Sequence, residues 1–95
     1  MKLFDYLANT EPERAKKPHN LEMSTIVTAD STLFEAIFML YDEIAQLEDI
    51  GYSWPQIYYA IFKKMQIENT WNPNWQVEQT SDYFYLIKSI ARNAN

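Results

Sequence analysis

Residues 51–56 read GYSWPQ, and they contain the end signal of one helix followed at once by the start signal of another. Gly51 is the only glycine in the chain, and a glycine commonly follows a helix because it adopts a left-handed backbone without a Cβ penalty. Ser53 and Gln56 have the spacing of a capping box, and Pro55 stands in the first turn, where a missing N–H costs nothing. We therefore predict two helices that meet at a sharp corner.

The helix before this corner is predicted over residues 33–49. Thr32 and Glu35 form a second capping box at its start, since each side chain can bond a backbone amide that the helix leaves unpaired. Apolar residues then recur at alternating spacings of four and three, which places one apolar stripe along the helix. The members of this stripe are Leu33, Ile37, Leu40, Ile44 and Leu47.

Two helices are predicted after the corner. The helix that starts after Ser53 is predicted to bury Ile57, Tyr58, Ile61, Phe62 and Met65. The last helix is predicted from residue 80 or 81 to residue 94, because Asp82 near its start and Arg92 near its end both suit the helix dipole. Its inward side chains are predicted to be Phe84, Ile87, Ile90, Ala91 and Ala94.

The chain is predicted to have three parts. Residues 1–8 form a short N-terminal helix with Leu3 and Leu7 on one side. Residues 9–20 contain two prolines and no aromatic residue, so they are predicted to be an exposed linker or arm. Residues 21–95 then form a single helical domain.

Two segments of this domain lack a helical pattern. Residues 25–28 hold the only β-branched cluster, which suits a short strand. Residues 67–79 centre on the turn signal NPN between Trp71 and Trp75, and they are predicted to form either a small hairpin or an ordered loop. The predicted fold class is therefore mostly α, a small domain of three to four helices with a helix-turn-helix corner. A short β-hairpin or wing at residues 67–79, which we call the insert, is the open alternative.

The composition of the 95-residue chain excludes several classes of protein. A hydrophobic fraction of 47% with 22% charged residues is typical of a globular domain and not of a disordered polar chain. The absence of cysteine excludes disulfides and thiolate zinc sites. The longest apolar runs have six residues, far below the ~20 that span a bilayer, and the start of the chain does not resemble a secretory signal. We therefore expect a cytoplasmic protein without a membrane segment.

The sequence also argues against an enzyme. Its only histidine, His19, lies beside Pro18 in the predicted arm, where no partner would orient it as a general base. The chain has no GxSxG motif, no glycine-rich phosphate loop and no HExxH motif. The carboxylates within residues 42–49 have no second acidic cluster opposite them, which a metal or glycosidase site would need. We therefore predict no catalytic residues, no metal and no cofactor.

An acidic row is predicted along the helix before the corner. Residues 30–50 hold six acidic residues and no lysine or arginine. Glu35, Asp42 and Asp49 recur every seven residues, so they line one side of the helix about 10 Å apart. Two interpretations remain open: an ordinary solvent-exposed face, or a surface that docks on a basic partner by imitating nucleic-acid phosphates.

The second half of the chain is more basic. Residues 51–95 hold four bases and three acids, whereas residues 1–50 hold four bases and ten acids. Polar side chains on the last helix recur at spacings that suit contacts with phosphates and the major groove, while helix-dipole complementarity and solubility are the alternative explanation. Together with two lysines of the preceding helix, the candidate DNA-binding residues are Ser81, Tyr85, Lys88, Arg92, Lys63 and Lys64.

A helix followed by GYSWPQIYYAIFKKMQI, a spacer and SDYFYLIKSIAR resembles the helix-turn-helix proteins of plasmid mobilisation, partition and conjugal transfer. The resemblance covers residues 51–92, and the chain departs from the family pattern in its longer insert and its negative net charge. It implies that the last helix reads DNA and that the insert acts as a wing. The positions that match are Gly51, Ser53, Ile57, Ile61, Ile67, Ser81, Tyr83, Phe84, Ile87 and Arg92.

Two functional hypotheses follow. The first is a small DNA-binding accessory or regulatory protein of a mobile genetic element, a homodimer on duplex DNA, with phosphate contacts added by Arg14, Lys16 and Lys17. The second is an acidic inhibitor encoded by a phage or plasmid, anti-CRISPR-like or DNA-mimicking, which binds a basic nucleic-acid-processing protein of the host. Its partner-binding residues would be Glu35, Asp42, Asp49, Trp71 and Trp75.

Overall fold

A computed structural model of the chain describes residues 2–7, 9–13 and 31–93. The described elements are a 3₁₀ helix at Leu3–Leu7, α1 at Ser31–Ile50, α2 at Trp54–Ile67 and α3 at Gln79–Asn93. None of the described residues belongs to a β-strand, and the predicted mostly α fold is confirmed. Within this part of the chain, no helix combines the length and the apolar character that crossing a bilayer requires. The strand predicted at residues 25–28 lies outside the described residues.

The corner between α1 and α2 has the geometry that its sequence predicts. Gly51 has a φ of 112°, and the backbone N–H of Tyr52 donates to the Leu47 carbonyl at 3.1 Å, which is the bond that closes a Schellman motif. The Ser53 hydroxyl then accepts from the backbone N–H of Gln56 at 3.4 Å, and the Gln56 side chain accepts from the backbone N–H of Ser53 at 3.0 Å. Both the helix end and the capping box are therefore confirmed.

We expect Gly51→Ala to lower the free energy of unfolding by about 1–2 kcal/mol, because a Cβ is disfavoured in the left-handed region of the backbone. Gly51→Asn is expected to lower the free energy of unfolding by less, since asparagine tolerates a positive φ better than alanine does. Urea denaturation followed by circular dichroism checks both variants. Equal stability of Gly51→Ala and the wild type would contradict the left-handed conformation at this corner.

Helix α1 turns its predicted apolar stripe to the core, and all five members of the stripe are buried. Its start differs from the prediction, because the helix begins at Ser31. Thr32 therefore lies inside the first turn, and its predicted role as the residue that caps α1 is wrong. The shift leaves the buried face unchanged, since that face depends on the spacing of the apolar residues and not on the position of the first turn.

The buried face of α3 differs from the predicted one. The prediction that Ile90 and Ala91 face inward is wrong, because Ile90 is 52% exposed and Ala91 is also exposed. The helix packs against α1, and the residues that it buries lie between positions 80 and 87. Thr80 and Ser81 can be buried there because their hydroxyls donate to the carbonyls three residues earlier, at 2.6 and 2.9 Å. The buried residues of α3 are Thr80, Ser81, Tyr83, Phe84 and Ile87.

The N-terminal segment is a 3₁₀ helix that completes the core. Leu3 and Leu7 are fully buried, and the segment packs against both α1 and α2. The backbone N–H of Leu3 donates to a carboxylate oxygen of Glu43 at 2.8 Å. The hydroxyl of Tyr52, at the corner, donates to the Thr10 carbonyl at 2.8 Å. The Tyr52 hydroxyl also lies 3.4 Å from the Leu7 carbonyl, so side chains of α1 and of the corner hold this short helix in place.

Residues 9–13, the described part of the predicted arm, lie along the start of α2. The Ser53 hydroxyl donates to a carboxylate oxygen of Glu13 at 2.6 Å, and the Gln56 amide donates to the Glu11 carbonyl at 2.8 Å. Most side chains of this segment are exposed, but its backbone is held against the corner. Residues 14–20 of the predicted arm lie outside the described residues.

The insert between α2 and α3 is a loop whose residues form no strand, so of the two predicted alternatives the hairpin is wrong. Asn69 ends α2 with a φ of 59°, and the backbone N–H of Thr70 donates to the Met65 carbonyl at 2.8 Å. A second turn follows, in which the backbone N–H of Trp75 donates to the Asn72 carbonyl at 2.9 Å. Consecutive turns leave no extended stretch that could pair as a hairpin.

Candidate binding surfaces

The acidic row of α1 lies in solvent. Glu35, Asp42 and Asp49 are all exposed, and within the described residues none of them forms an ion pair with a lysine or arginine. Two large apolar side chains lie between Glu35 and Asp42: Phe38 is 60% exposed and Met39 is 79% exposed. We call these five residues the α1 face. It presents an exposed apolar centre with carboxylates on both sides along the helix.

Two other carboxylates of α1 have structural partners instead. Glu43 accepts the hydrogen bond from the backbone N–H of Leu3. Glu48 accepts hydrogen bonds from the Trp54 indole, at 3.1 Å, and from the Tyr85 hydroxyl. The acidic segment therefore divides into carboxylates that hold the fold together and the exposed row of the α1 face.

The burial of Ser81 argues against its predicted place among the DNA-binding residues. Its exposed fraction is 0%. Its hydroxyl donates to the Glu78 carbonyl at 2.9 Å and lies 2.7 Å from the Tyr58 hydroxyl. Burial raises the pKa of Tyr58, and the nearby carboxylates of Asp82 and Glu78 add to the rise. The hydroxyl of Ser81 therefore serves the packing of α3 against α2.

The hydroxyl of Tyr85 is also bound within the fold. It donates to Glu48 and accepts from the Trp54 indole N–H at 3.0 Å, so it links all three α-helices. Burial, with the hydrogen bond to Glu48 as the second cause, raises the pKa of Tyr85 to about 12. A phosphate could reach this hydroxyl only by displacing Glu48, so the geometry argues against the predicted DNA contact of Tyr85.

The four candidate bases are divided between two helices. Lys64 on α2 pairs with Glu68 at 2.7 Å, and this hydrogen bond raises the pKa of the lysine. Lys63 on α2 is exposed. On α3, the Lys88 ammonium lies 5.9 Å from the centroid of the Tyr85 ring, and Arg92 is exposed. Lys63, Lys88 and Arg92 thus remain as candidates for phosphate contacts.

The tryptophans of the insert lie against the outer side of α2. The Trp71 ring meets the Phe62 ring at 5.2 Å and the Trp75 ring at 5.3 Å, nearly perpendicular to each. These rings border an open cleft of about 380 Å³. We call it the aromatic cleft, and its lining residues are Pro55, Tyr58, Tyr59, Phe62, Trp71, Trp75 and Val77.

Sequence reasoning missed the apolar centre of the α1 face and the aromatic cleft. A signal for the first was present, because Phe38 and Met39 fall outside the apolar stripe of α1 and so had to face away from the core. The cleft had no comparable signal. Tyr58 and Phe62 were predicted to be buried on α2, but they are only half-buried, since the loop with the tryptophans leaves an opening above them.

The described residues contain no group of three or more histidine, aspartate and glutamate side chains that could hold a metal ion. Comparisons with protein-family models, with curated proteins and with solved structures found no match to this chain. The resemblance to helix-turn-helix proteins of plasmid transfer therefore stays a prediction. A function has to be inferred from the chain's own surfaces.

Proposed function

We propose that the protein binds a partner protein through the α1 face, and that the partner offers a basic surface with an apolar centre. The observation that carries this proposal is the exposure of Phe38 and Met39 between the exposed carboxylates of Glu35 and Asp42. Protein interfaces typically have an apolar core and a polar rim, and methionine and aromatic residues are enriched in them. The α1 face has this composition.

Electrostatics favour a basic partner. The chain has a net charge of −5, and α1 contains no lysine or arginine. A surface with one sign of charge steers a partner of the opposite sign and excludes partners of like charge. The apolar centre would then supply most of the affinity, because exposed ion pairs contribute only about 0–1 kcal/mol each.

A protein partner fits the α1 face better than close mimicry of DNA does. The row from Glu35 to Asp49 is about 21 Å long, and it contains three exposed carboxylates. Duplex DNA has one charge per ~1.7 Å of axis, or about 12 over the same length. The row is therefore much less charged than DNA, and the two apolar side chains between Glu35 and Asp42 have no counterpart in a phosphate backbone. A basic groove in a nucleic-acid-processing enzyme remains one example of a suitable partner.

DNA binding through α3 is less well supported by the geometry. Ser81 is buried, Tyr85 is bound to Glu48, and Lys64 is paired with Glu68. DNA binding thus stays a prediction, as do the homodimer and the cytoplasmic location. Fluorescence anisotropy with a random duplex tests it directly: salt-dependent binding that Lys88→Ala or Arg92→Ala weakens would favour DNA over a protein partner.

The proposal predicts that charge reversal on the α1 face weakens partner binding. We would place a photo-crosslinking amino acid at Gln46, which is exposed on α1, and identify the crosslinked protein. With that protein purified, Asp42→Lys combined with Asp49→Lys is expected to raise its Kd at least about tenfold, which is about 1.4 kcal/mol. Met39→Ser is expected to weaken binding by a similar factor, because it removes apolar area from the centre of the contact.

Glu78→Lys is the matched control, since it reverses an exposed charge outside α1. It should leave the Kd within about twofold of the wild type, apart from the small change in overall steering. A partner that binds the α1 variants and the wild type equally would contradict the proposal. A crosslink from Gln46 to a second copy of the chain would also contradict it, because the α1 face would then be a homodimer interface.

A further inference from the structure

We propose that the aromatic cleft binds an organic cation with an alkylated ammonium head, such as a trimethylammonium group. Five of its seven lining residues are aromatic, and the other two are Pro55 and Val77. Its volume of about 380 Å³ lies within the ~300–1,000 Å³ that is typical of sites for small molecules. This inference concerns a second surface, separate from the α1 face, and does not depend on the partner proposed above.

The arrangement of the rings suits a cation. Trp71 is perpendicular to Phe62, at 77°, and to Trp75, at 87°. Rings at right angles line the cleft from different directions, so a rounded group can contact more than one of them. The faces of aromatic rings are electron-rich and attract cations within about 6 Å, and tryptophan is the strongest of them.

The charges around the cleft also favour a cation. None of the lining residues has a charged side chain. Two carboxylates, Asp82 and Glu78, lie close enough to Tyr58 to act on its hydroxyl. Lys63 lies one turn beyond Tyr59 on α2, but it is not part of the lining. A cation in the cleft would thus be attracted by the rings and by nearby negative charge.

The scarcity of hydrogen-bond acceptors distinguishes an alkylated head from a plain ammonium. A lysine ammonium has three N–H donors that need acceptors when they leave water. Because the Ser81 hydroxyl donates to the Glu78 carbonyl, the Tyr58 hydroxyl donates to Ser81 at 2.7 Å. The lining side chains then offer only the hydroxyl oxygens of Tyr58 and Tyr59 as acceptors, fewer than the three that an ammonium needs. A trimethylammonium group has no N–H donor, and its methyl groups can contact the rings directly. The cleft therefore favours this head group over an unmodified lysine.

The proposal is tested by titrating the protein with choline and following tryptophan fluorescence. The matched ligand is 3,3-dimethylbutan-1-ol, which has the shape of choline without its charge. We expect saturable binding of choline, at least about tenfold tighter than that of the neutral ligand. Sodium chloride at equal concentration controls for ionic strength. Equal affinity for the two ligands, or no saturation by choline, would overturn the proposal.

A second pair of ligands distinguishes a free small molecule from a modified protein. N-acetyl-trimethyllysine amide is compared with N-acetyl-lysine amide. Tighter binding of the trimethylated compound than of choline would indicate a methylated lysine of a protein as the natural source, and the reverse order would indicate a free small cation. Binding of the unmodified lysine compound as tightly as the trimethylated one would overturn the preference for an alkylated head.

Three variants test whether choline binds in the aromatic cleft. Trp71→Leu is expected to weaken choline binding at least about tenfold, and Trp75→Phe less, because a ring remains at that position. Phe4→Leu removes an exposed ring outside the cleft and should leave binding unchanged. Circular dichroism confirms that each variant is folded. Retention of full affinity by folded Trp71→Leu would overturn the assignment of the site.

Discussion

Replacing Leu3 and Leu7 together by alanine is expected to lower the free energy of unfolding by roughly 4–10 kcal/mol. Both side chains are fully buried against α1 and α2, and a buried leucine replaced by alanine typically costs about 2–5 kcal/mol. Since small domains are stable by only about 5–15 kcal/mol, the double variant should be largely unfolded at room temperature. Loss of far-UV circular dichroism in the absence of denaturant is the expected result.

The two single variants and one control make this prediction quantitative. Leu3→Ala and Leu7→Ala should each fold and each lose about 2–5 kcal/mol in urea denaturation. Phe4→Ala is the control, because Phe4 is 46% exposed and contacts Tyr52 only by an edge-to-face approach at 6.4 Å. It should cost about 1 kcal/mol. A double variant that stays within ~1 kcal/mol of the wild type would mean that the 3₁₀ helix is not part of the core.

The corner of the fold could be predicted because its signals are local. Gly51, Ser53 and Gln56 act on backbone groups within a few residues, so their spacing alone predicts the bonds that they make. The role of the N-terminus could not be predicted in this way. Leu3 is 40 positions away from Glu43 in the sequence, and nothing in a short apolar segment indicates which distant helix will cover it.

The candidate sites also divide into features that local spacing predicts and features that depend on distant contacts. The acidic row of the α1 face could be predicted from a seven-residue spacing, since helical geometry alone decides which residues share a side. The roles of the polar side chains of α3 could not be predicted from their spacing. Helical spacing placed Tyr85 on an outer face, but it could not indicate that Glu48 and Trp54 on two other helices would meet its hydroxyl. Partners brought together by tertiary packing have no signature in the sequence of either helix.

Removing the Tyr85 hydroxyl is expected to lower the free energy of unfolding by about 1.5–3 kcal/mol, the usual range for a hydrogen bond to a charged group. Tyr85→Phe keeps the ring packed against Trp54 and Phe84 but removes the donor to Glu48 and one acceptor of the Trp54 indole. Urea denaturation at neutral pH gives the loss. Tyr59→Phe is the control, because Tyr59 is exposed, and it should stay within about 0.5 kcal/mol of the wild type.

The wild type and Tyr85→Phe should respond differently to alkaline pH. The pKa of Tyr85 is raised from 10.0 to about 12 in the folded protein, so folding favours its neutral form. The contribution of Tyr85 to the free energy of unfolding is fully present below about pH 10 and is lost as the pH rises through about 12. The stability difference between wild type and Tyr85→Phe should therefore be constant up to about pH 10 and then shrink. Tyr58, whose pKa is also raised, is present in both proteins, and its charge is one of the causes that raise the pKa of Tyr85. A difference that stays constant to about pH 12 would show that the Tyr85 hydroxyl titrates alike in the folded and unfolded chains.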